Sequence, residues 1–338
     1  MEQIKPKIKR AKIMKEILTC TECEKSYKTQ KGLTNHKCKP PIKISVADIS
    51  NFFVTSSRDE NDAANKTRER LLKVISNPPA EFLNDPTYGN SWLVVKNAWN
   101  EAIDKIALEN NIMNYTNAVT ITRGGRGYNY DAEIMYYDGS NKLGTLLVEF
   151  KYGDEDINGL AQFLSLYAKD EMCLVKYDSF FYDNYLDKYL ACDIGLTESK
   201  PTKEAYLKNL YGTKYDKTPF IHQLKSRELI MQNEKNSAVN ESITDYLNKF
   251  GKQLDINKFS EKVKATQTDK IYLLWNNGKF TLDKIRNEEM LNMTYQGIRN
   301  GNILEVKSGT TTYSLLLRWR NHKGIMTPAW QISLKRNL

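Results

Sequence analysis

Apolar residues recur every three to four positions over SWLVVKNAWNEAIDKIALEN, residues 91–110. Val95, Ala98, Trp99, Ala102, Ile103 and Ile106 fall on one stripe and predict an amphipathic helix. The period changes to two in YNYDAEIMYY (128–137) and GTLLVEFKYG (144–153), which reads as two strands joined by DGSNKLG, a segment with hairpin-turn chemistry in its Asp-Gly pair and later glycine. Helical spacing returns over DINGLAQFLSLYAKDE (156–171), with Leu160, Phe163, Leu164 and Tyr167 on one side. An earlier helix is expected over about 61–76, ended by Asn77-Pro78-Pro79. Residues 201–268 read as helices. From Lys270 short strands dominate: KIYLLWNNGKFTL, GNILEVKSG, TTYSLLLRWRN and PAWQISLK.

The strand at 144–153 carries charge where a buried strand would be apolar. Alternation puts Glu149 and Lys151 on one face and Leu146, Val148 and Phe150 on the other. A solvated edge strand would account for this without any chemistry. A hairpin centred near Asn141, however, brings Asp131 opposite Lys151 and Glu133 opposite Glu149, so that two or three carboxylates share a patch with a lysine. Carboxylates packed together repel unless a cation neutralises them, and hard oxygen donors suit Mg²⁺ or Mn²⁺. A lysine beside such a metal can orient or deprotonate an attacking water, or offset the charge that builds on a phosphorane.

Asp131, seventeen intervening residues and Glu149-Phe150-Lys151 together resemble the core motif of the PD-(D/E)XK nuclease superfamily, over roughly residues 60–190. The pattern departs at its first letter, since Tyr130 stands where the family has Pro. The resemblance implies an α/β fold in which the hairpin belongs to a mixed sheet flanked by helices. It also implies Mg²⁺-dependent cleavage of DNA, with Asp131 and Glu149 holding the metal and Lys151 assisting the water. By the same analogy Glu101, on the helix before the hairpin, completes the metal shell, and Gln162, on the helix after it, positions the site. Arg123 and Arg126 in ITRGGRGYNYD lie just before Asp131, either as a plain strand connection or as phosphate contacts at the mouth of the site. A second E-x-K, Glu305-Val306-Lys307, has Asp283 and Glu288 upstream but no hairpin to set an acid against it. The first motif is therefore preferred.

Near the N-terminus the chain reads Cys20-x2-Cys23-x12-His36-x-Cys38, a set of three thiolates and an imidazole suited to a closed tetrahedral Zn²⁺ site. Tyr27 and Leu33 stand where the Cys-Cys-His-His zinc-finger family keeps its aromatic and leucine core, which the segment resembles. The family separates its last two ligands by three to five residues, whereas His36 and Cys38 are two apart, so Cys38 must follow the end of the helix. The family's base-contacting positions fall on Thr29, Gly32 and Asn35, which are poorly suited to bidentate base readout. Lys28, Lys31 and Lys37 suit a sequence-tolerant grip on phosphates. A finger facing a protein partner is the alternative.

Composition narrows the class. The 338 residues carry a net charge of +9, which favours a polyanionic partner such as DNA without establishing one. No apolar run approaches bilayer length and the N-terminus lacks a secretory apolar core, so an intracellular location, cytoplasmic or nuclear, is expected. Five cysteines are an odd count, and Cys173 and Cys192 read as free thiols. The expected organisation is a finger at 18–40, a linker at 41–61, a nuclease core at 62–195, a helical segment at 196–268 and a β-rich module at 269–338. In that module Trp275, Trp319 and Trp330, with Arg318, Arg320 and Lys323, form either a core or an aromatic-basic surface for nucleic acid. His222 and His322 have no partners at ligand spacing. The expectation is a metal-dependent deoxyribonuclease, an endonuclease of restriction, repair or recombination type with a docking finger, its oligomeric state left open with a homodimer as one option. The alternative is a catalytically inactive nucleic-acid-binding protein on the same fold.

Overall fold

The structure is a computed structural model. It describes residues 43–54, 58–123, 128–160, 162–170, 172–212, 218–321 and 324–337, with 18–19, 26–27 and 33–34 nearer the N-terminus. The chain divides into two compact units, Met1–Asp48 and Ile49–Leu338. In the first, β1 (Leu18–Thr19) pairs antiparallel with β2 (Ser26–Tyr27), and Leu33 and Thr34 are helical. The expected zinc ligands Cys20, Cys23, His36 and Cys38, and the expected phosphate contacts Lys28, Lys31 and Lys37, lie outside the described residues.

The second unit is a mixed α/β fold built on two five-stranded sheets. The first has the order β3 (Asn117–Thr122), β4 (Ala132–Asp138), β5 (Asn141–Tyr152), β7 (Lys270–Asn276), β8 (Lys279–Asp283). All its neighbours are antiparallel except β5 and β7, which run parallel. The second sheet is antiparallel throughout, in the order β6 (Gln162–Tyr167), β12 (Met326–Arg336), β11 (Thr311–Asn321), β10 (Ile303–Ser308), β9 (Thr294–Arg299).

Helix α1 (Arg58–Leu71) precedes the first sheet in sequence, and α2 (Gly89–Glu109) packs on one of its faces. The apolar stripe of α2 is buried as its spacing predicts, including Val95, Trp99, Ile103 and Ile106. Trp99 meets Phe280 of β8 edge-on at 5.5 Å, and the Tyr136 hydroxyl of β4 donates to the Ile103 carbonyl at 3.0 Å. Each large side chain fully buried in this way contributes about 1.5–3 kcal/mol. The opposite face of the sheet, at Tyr272 and Leu274, joins a core shared with the second sheet and with α3 (Tyr177–Asn184), α4 (Leu186–Ala191), α5 (Lys203–Tyr211), α6 (Pro219–Ser226), α7 (Gln232–Phe250) and α8 (Ile256–Gln267). Thr202, Thr218 and Asp255 cap α5, α6 and α8 by accepting from backbone N–H groups in the first turn.

Three expectations are corrected here. The β-rich C-terminal stretch is not separate from the core: β7 and β8 complete the hairpin's own sheet, whereas β6, from the expected core, forms the edge of the C-terminal sheet. Strand pairing thus crosses both expected boundaries, at 195 and at 268. The described residues of the segment 156–171 form a strand and a short 3-10 turn rather than the expected α-helix. Gly159 takes φ +76° and its N–H donates to Leu334, after which residues 162–167 pair with β12. Finally, the hairpin turns at Gly139-Ser140, with Asp138 opposite Asn141 and a bulge after Tyr136, so Glu133 faces Leu147 rather than Glu149. Trp275, Trp319 and Trp330 are all buried, which is the core alternative.

Candidate active site

The charged face of β5 is built by register. In the parallel pairing with β7, Leu147 lies beside Lys270, Glu149 beside Tyr272 and Lys151 beside Leu274, so Glu149, Lys151 and Lys270 project from the same face. Asp131 immediately precedes β4; its N–H donates to the Val148 carbonyl at 2.8 Å, which sets it level with Glu149 across the hairpin. Its Oδ2 accepts from the Phe150 N–H at 2.8 Å. Lys151 Nζ donates to Glu149 Oε1 at 2.6 Å, and Lys270 Nζ donates to Glu149 Oε2 at 2.9 Å. The structure therefore brings Asp131, Glu149 and Lys151 together, and adds Lys270.

Electrostatics bring in one more acid. Burial, then Asp131 and Glu149, push the Glu69 carboxyl of α1 up to about 7, against the pull of Lys151 and Lys66. Burial and Glu149 push Asp131 up to about 6, with the Phe150 N–H, Lys151 and Lys270 opposing. Glu149 behaves differently. Burial works against its ionisation, but the two ammoniums outweigh burial and hold it below the usual carboxylate range. The helical acid that feels the charges of this pair is thus Glu69, on α1 rather than α2.

Glu101 does not reach it. That residue lies on the exposed side of α2, whose apolar side is committed to the opposite face of the sheet. Gln162 belongs to β6 in the second sheet, opposite Ile332, not to a helix beside the hairpin. Arg123 is not a free cation: it binds Glu133 Oε2 at 3.0 Å and lies 5.4 Å from the Tyr128 ring centre. Glu133 also accepts from the Tyr130 hydroxyl at 2.5 Å and is held low, chiefly by Arg123, so it stands apart from the carboxylate patch. Arg126 lies outside the described residues.

The second E-x-K assembles no comparable patch. Glu305 accepts from Arg299 Nε at 2.6 Å, Lys307 is exposed, and Asp283 is held through both oxygens by Arg336 at 2.8 Å.

Lys270 and Glu69 escaped sequence reading for different reasons. Lys270 stands 121 residues from Glu149, and only the parallel β5–β7 pairing joins them. Glu69 sits on a helix that the sequence does show, but nothing local marks that helix, rather than the more apolar 91–110, as the one facing the hairpin.

A divalent cation fits the donor chemistry. Asp131 and Glu149 lie together and Glu69 feels the charge of both; Asp131 and Glu69 are pushed toward protonation, which a hard ion would relieve. The set is not a ready-made cage, since among the described residues no three His, Cys, Asp or Glu side chains converge as a metal site. It suits a hydrated ion that takes one or two carboxylates and fills the remaining positions with water and substrate phosphate. No family model matches the chain, and no curated protein is similar enough in sequence to count as a relative. Among the described residues no helix is long and apolar enough to cross a membrane.

Proposed function

We propose that this protein is a metal-dependent deoxyribonuclease of the PD-(D/E)XK type, hydrolysing phosphodiester bonds at the Asp131–Glu149–Lys151 site. The observation that carries the reading is the convergence of Asp131, Glu149 and Lys151 on one hairpin, with Glu69 on the preceding helix close enough to feel the charges of both acids. Asp131 and Glu149 would hold Mg²⁺ or Mn²⁺, with Glu69 in the part the sequence had given to Glu101. When bound, the ion would polarise the scissile phosphate and acidify a water. Lys151 is the partly exposed ammonium of the site, with one donor on Glu149; its other N–H groups can bond a phosphate oxygen and offset charge in the transition state.

The N-terminal Cys-Cys-His-Cys set would hold one structural Zn²⁺ and serve as a docking finger. Its lysines favour the DNA backbone, and the net charge of +9 favours the same polyanion. A second reading, a nucleic-acid-binding protein without turnover, draws on the two lysines that occupy both oxygens of Glu149 and on the lack of a preformed three-ligand set among the described residues. Incubating the protein with plasmid, linear and single-stranded DNA in Mg²⁺, and in parallel in EDTA, separates the two. Metal-dependent fragments support the nuclease; bound but intact DNA in both supports the second reading.

A further inference from the structure

The site holds a second lysine that the sequence motif does not contain, and its surroundings differ from those of Lys151. The Lys270 side chain is 3% exposed, against 23% for Lys151. It has no route to a substrate phosphate. Its ammonium instead bonds inward twice, to Glu149 Oε2 at 2.9 Å and to the Asn129 carbonyl at 2.6 Å. Asn129 lies two residues before Asp131, so one buried cation joins the two halves of the hairpin motif, the strand carrying Glu149 and the segment leading into Asp131. The same segment is anchored again, because Asn129 Nδ2 donates to the Thr266 carbonyl near the end of α8 at 2.7 Å. Lys270 follows α8 by three residues and opens β7.

The geometry points to Lys270 as a positioning residue for the proposed nuclease site: it fixes the rotamer of Glu149 by holding Oε2, and so presents Oε1 to Lys151 and the reaction, while keeping Asp131 in register. This inference rests on the nuclease reading. Two ammoniums share one carboxylate but divide the work, since only the exposed one has donors to offer a substrate. A charge-assisted bond from a buried lysine is strong enough to hold the Glu149 carboxylate, which the partly exposed Lys151 alone would leave free to turn.

Loss of position and loss of structure predict opposite changes in metal affinity. Removing a cation from beside carboxylates makes the cluster more negative, so Lys270→Met should bind Mn²⁺ at least as tightly as wild type. It should nevertheless cut DNA about 100-fold more slowly, with KM for DNA within about threefold, because the carboxylates are present but misaligned. The experiment compares wild type, Lys270→Met, Lys270→Gln and Lys151→Ala. Each is measured for Mn²⁺ binding by calorimetry without DNA, and for kcat and KM on linear DNA with Mg²⁺. Lys270→Gln is isosteric enough to keep the chain folded should Met not do so, and should regain part of the rate through its amide donors. The inference is overturned if either folded variant cuts within threefold of wild type, or if Mn²⁺ affinity falls together with kcat, which would mark a merely structural lysine. If Lys151→Ala also cuts like wild type, or wild type does not cut at all, the nuclease reading itself fails and this inference falls with it.

Discussion

Neutralising Glu69 should make the metal-free protein more stable and the nuclease slower. In the wild type this carboxyl is pushed from its ordinary 4.5 up to about 7, by burial first and by Asp131 and Glu149 after it. At about 1.4 kcal/mol per tenfold change in proton affinity, holding the charge at about pH 8 costs about 3 kcal/mol. The side chain is only partly buried, and solvent screening reduces that to about 1–2 kcal/mol. Gln keeps the shape without the charge, so Glu69→Gln should raise the Tm in EDTA by roughly 2–5 °C. A carboxyl whose folded pKa is raised leaves the protein at full stability below 4.5 and loses it as pH rises through about 7. The variant's advantage should therefore open across that window and vanish below it. Scanning calorimetry at the two ends reads this directly. Saturating Mg²⁺ should favour the wild type and reverse the order, and the variant should cut about 100-fold more slowly, equivalent to about 2.7 kcal/mol of transition-state stabilisation. A Tm gain equal at both pH values, or a lower Tm at the alkaline end, would refute the reasoning. Glu101→Gln, on the exposed side of α2, should change neither quantity.

Away from the site, Asp193 is fully buried between Lys235 Nζ at 2.8 Å and Arg227 at 2.7 Å, so Asp193→Ala should cost about 3–5 kcal/mol in urea unfolding by leaving a buried ammonium unpaired. Burial opposes the Asp193 charge but the two cations hold its pKa low, so this stability is present above about pH 4 and is lost on acidification; a loss that instead appeared on alkalinisation would contradict the assignment. Lys307→Ala should leave cleavage unchanged, and an inactive variant would move the site to the second E-x-K. Protein prepared without chelator should contain about one Zn²⁺ per chain by elemental analysis, and deleting residues 1–42 should remove it while sparing Mg²⁺-dependent cleavage. Replacing Lys28, Lys31 and Lys37 by Ala should lower the slope of log affinity against log salt by roughly two to three units if the finger grips phosphates; an unchanged slope would indicate a protein-facing finger.

What the sequence disclosed follows the range of the forces involved. The stripe of α2 and the alternation of β5 are set by nearest neighbours, and every apolar position assigned to the α2 stripe is buried. The hairpin was legible from its turn residues, but its register slipped by two because the chain reverses at Gly139-Ser140 rather than around Asn141, and the bulge after Tyr136 takes back only one residue of that displacement. The segment 156–171 misled because Leu160, Phe163, Leu164 and Tyr167 satisfy helical spacing within a window too short to exclude a strand. The edge of the second sheet then recruited it. Asp131, Glu149 and Lys151 were found because one hairpin carries them all. Lys270 and Glu69 were not, because the contacts that place them run between segments distant in sequence and depend on which strand β5 takes as its parallel neighbour.

Cleavage of linear DNA by wild type and Lys151→Ala, each with Mg²⁺ and with EDTA, and with DNA affinity measured alongside, tests the central claim most directly. Wild type should cut with Mg²⁺ and stop in EDTA, and Lys151→Ala should bind DNA within about twofold of wild type while cutting at least about 100-fold more slowly. Wild-type protein that leaves DNA intact in both Mg²⁺ and Mn²⁺, or a Lys151→Ala variant that cuts at the wild-type rate, would contradict it.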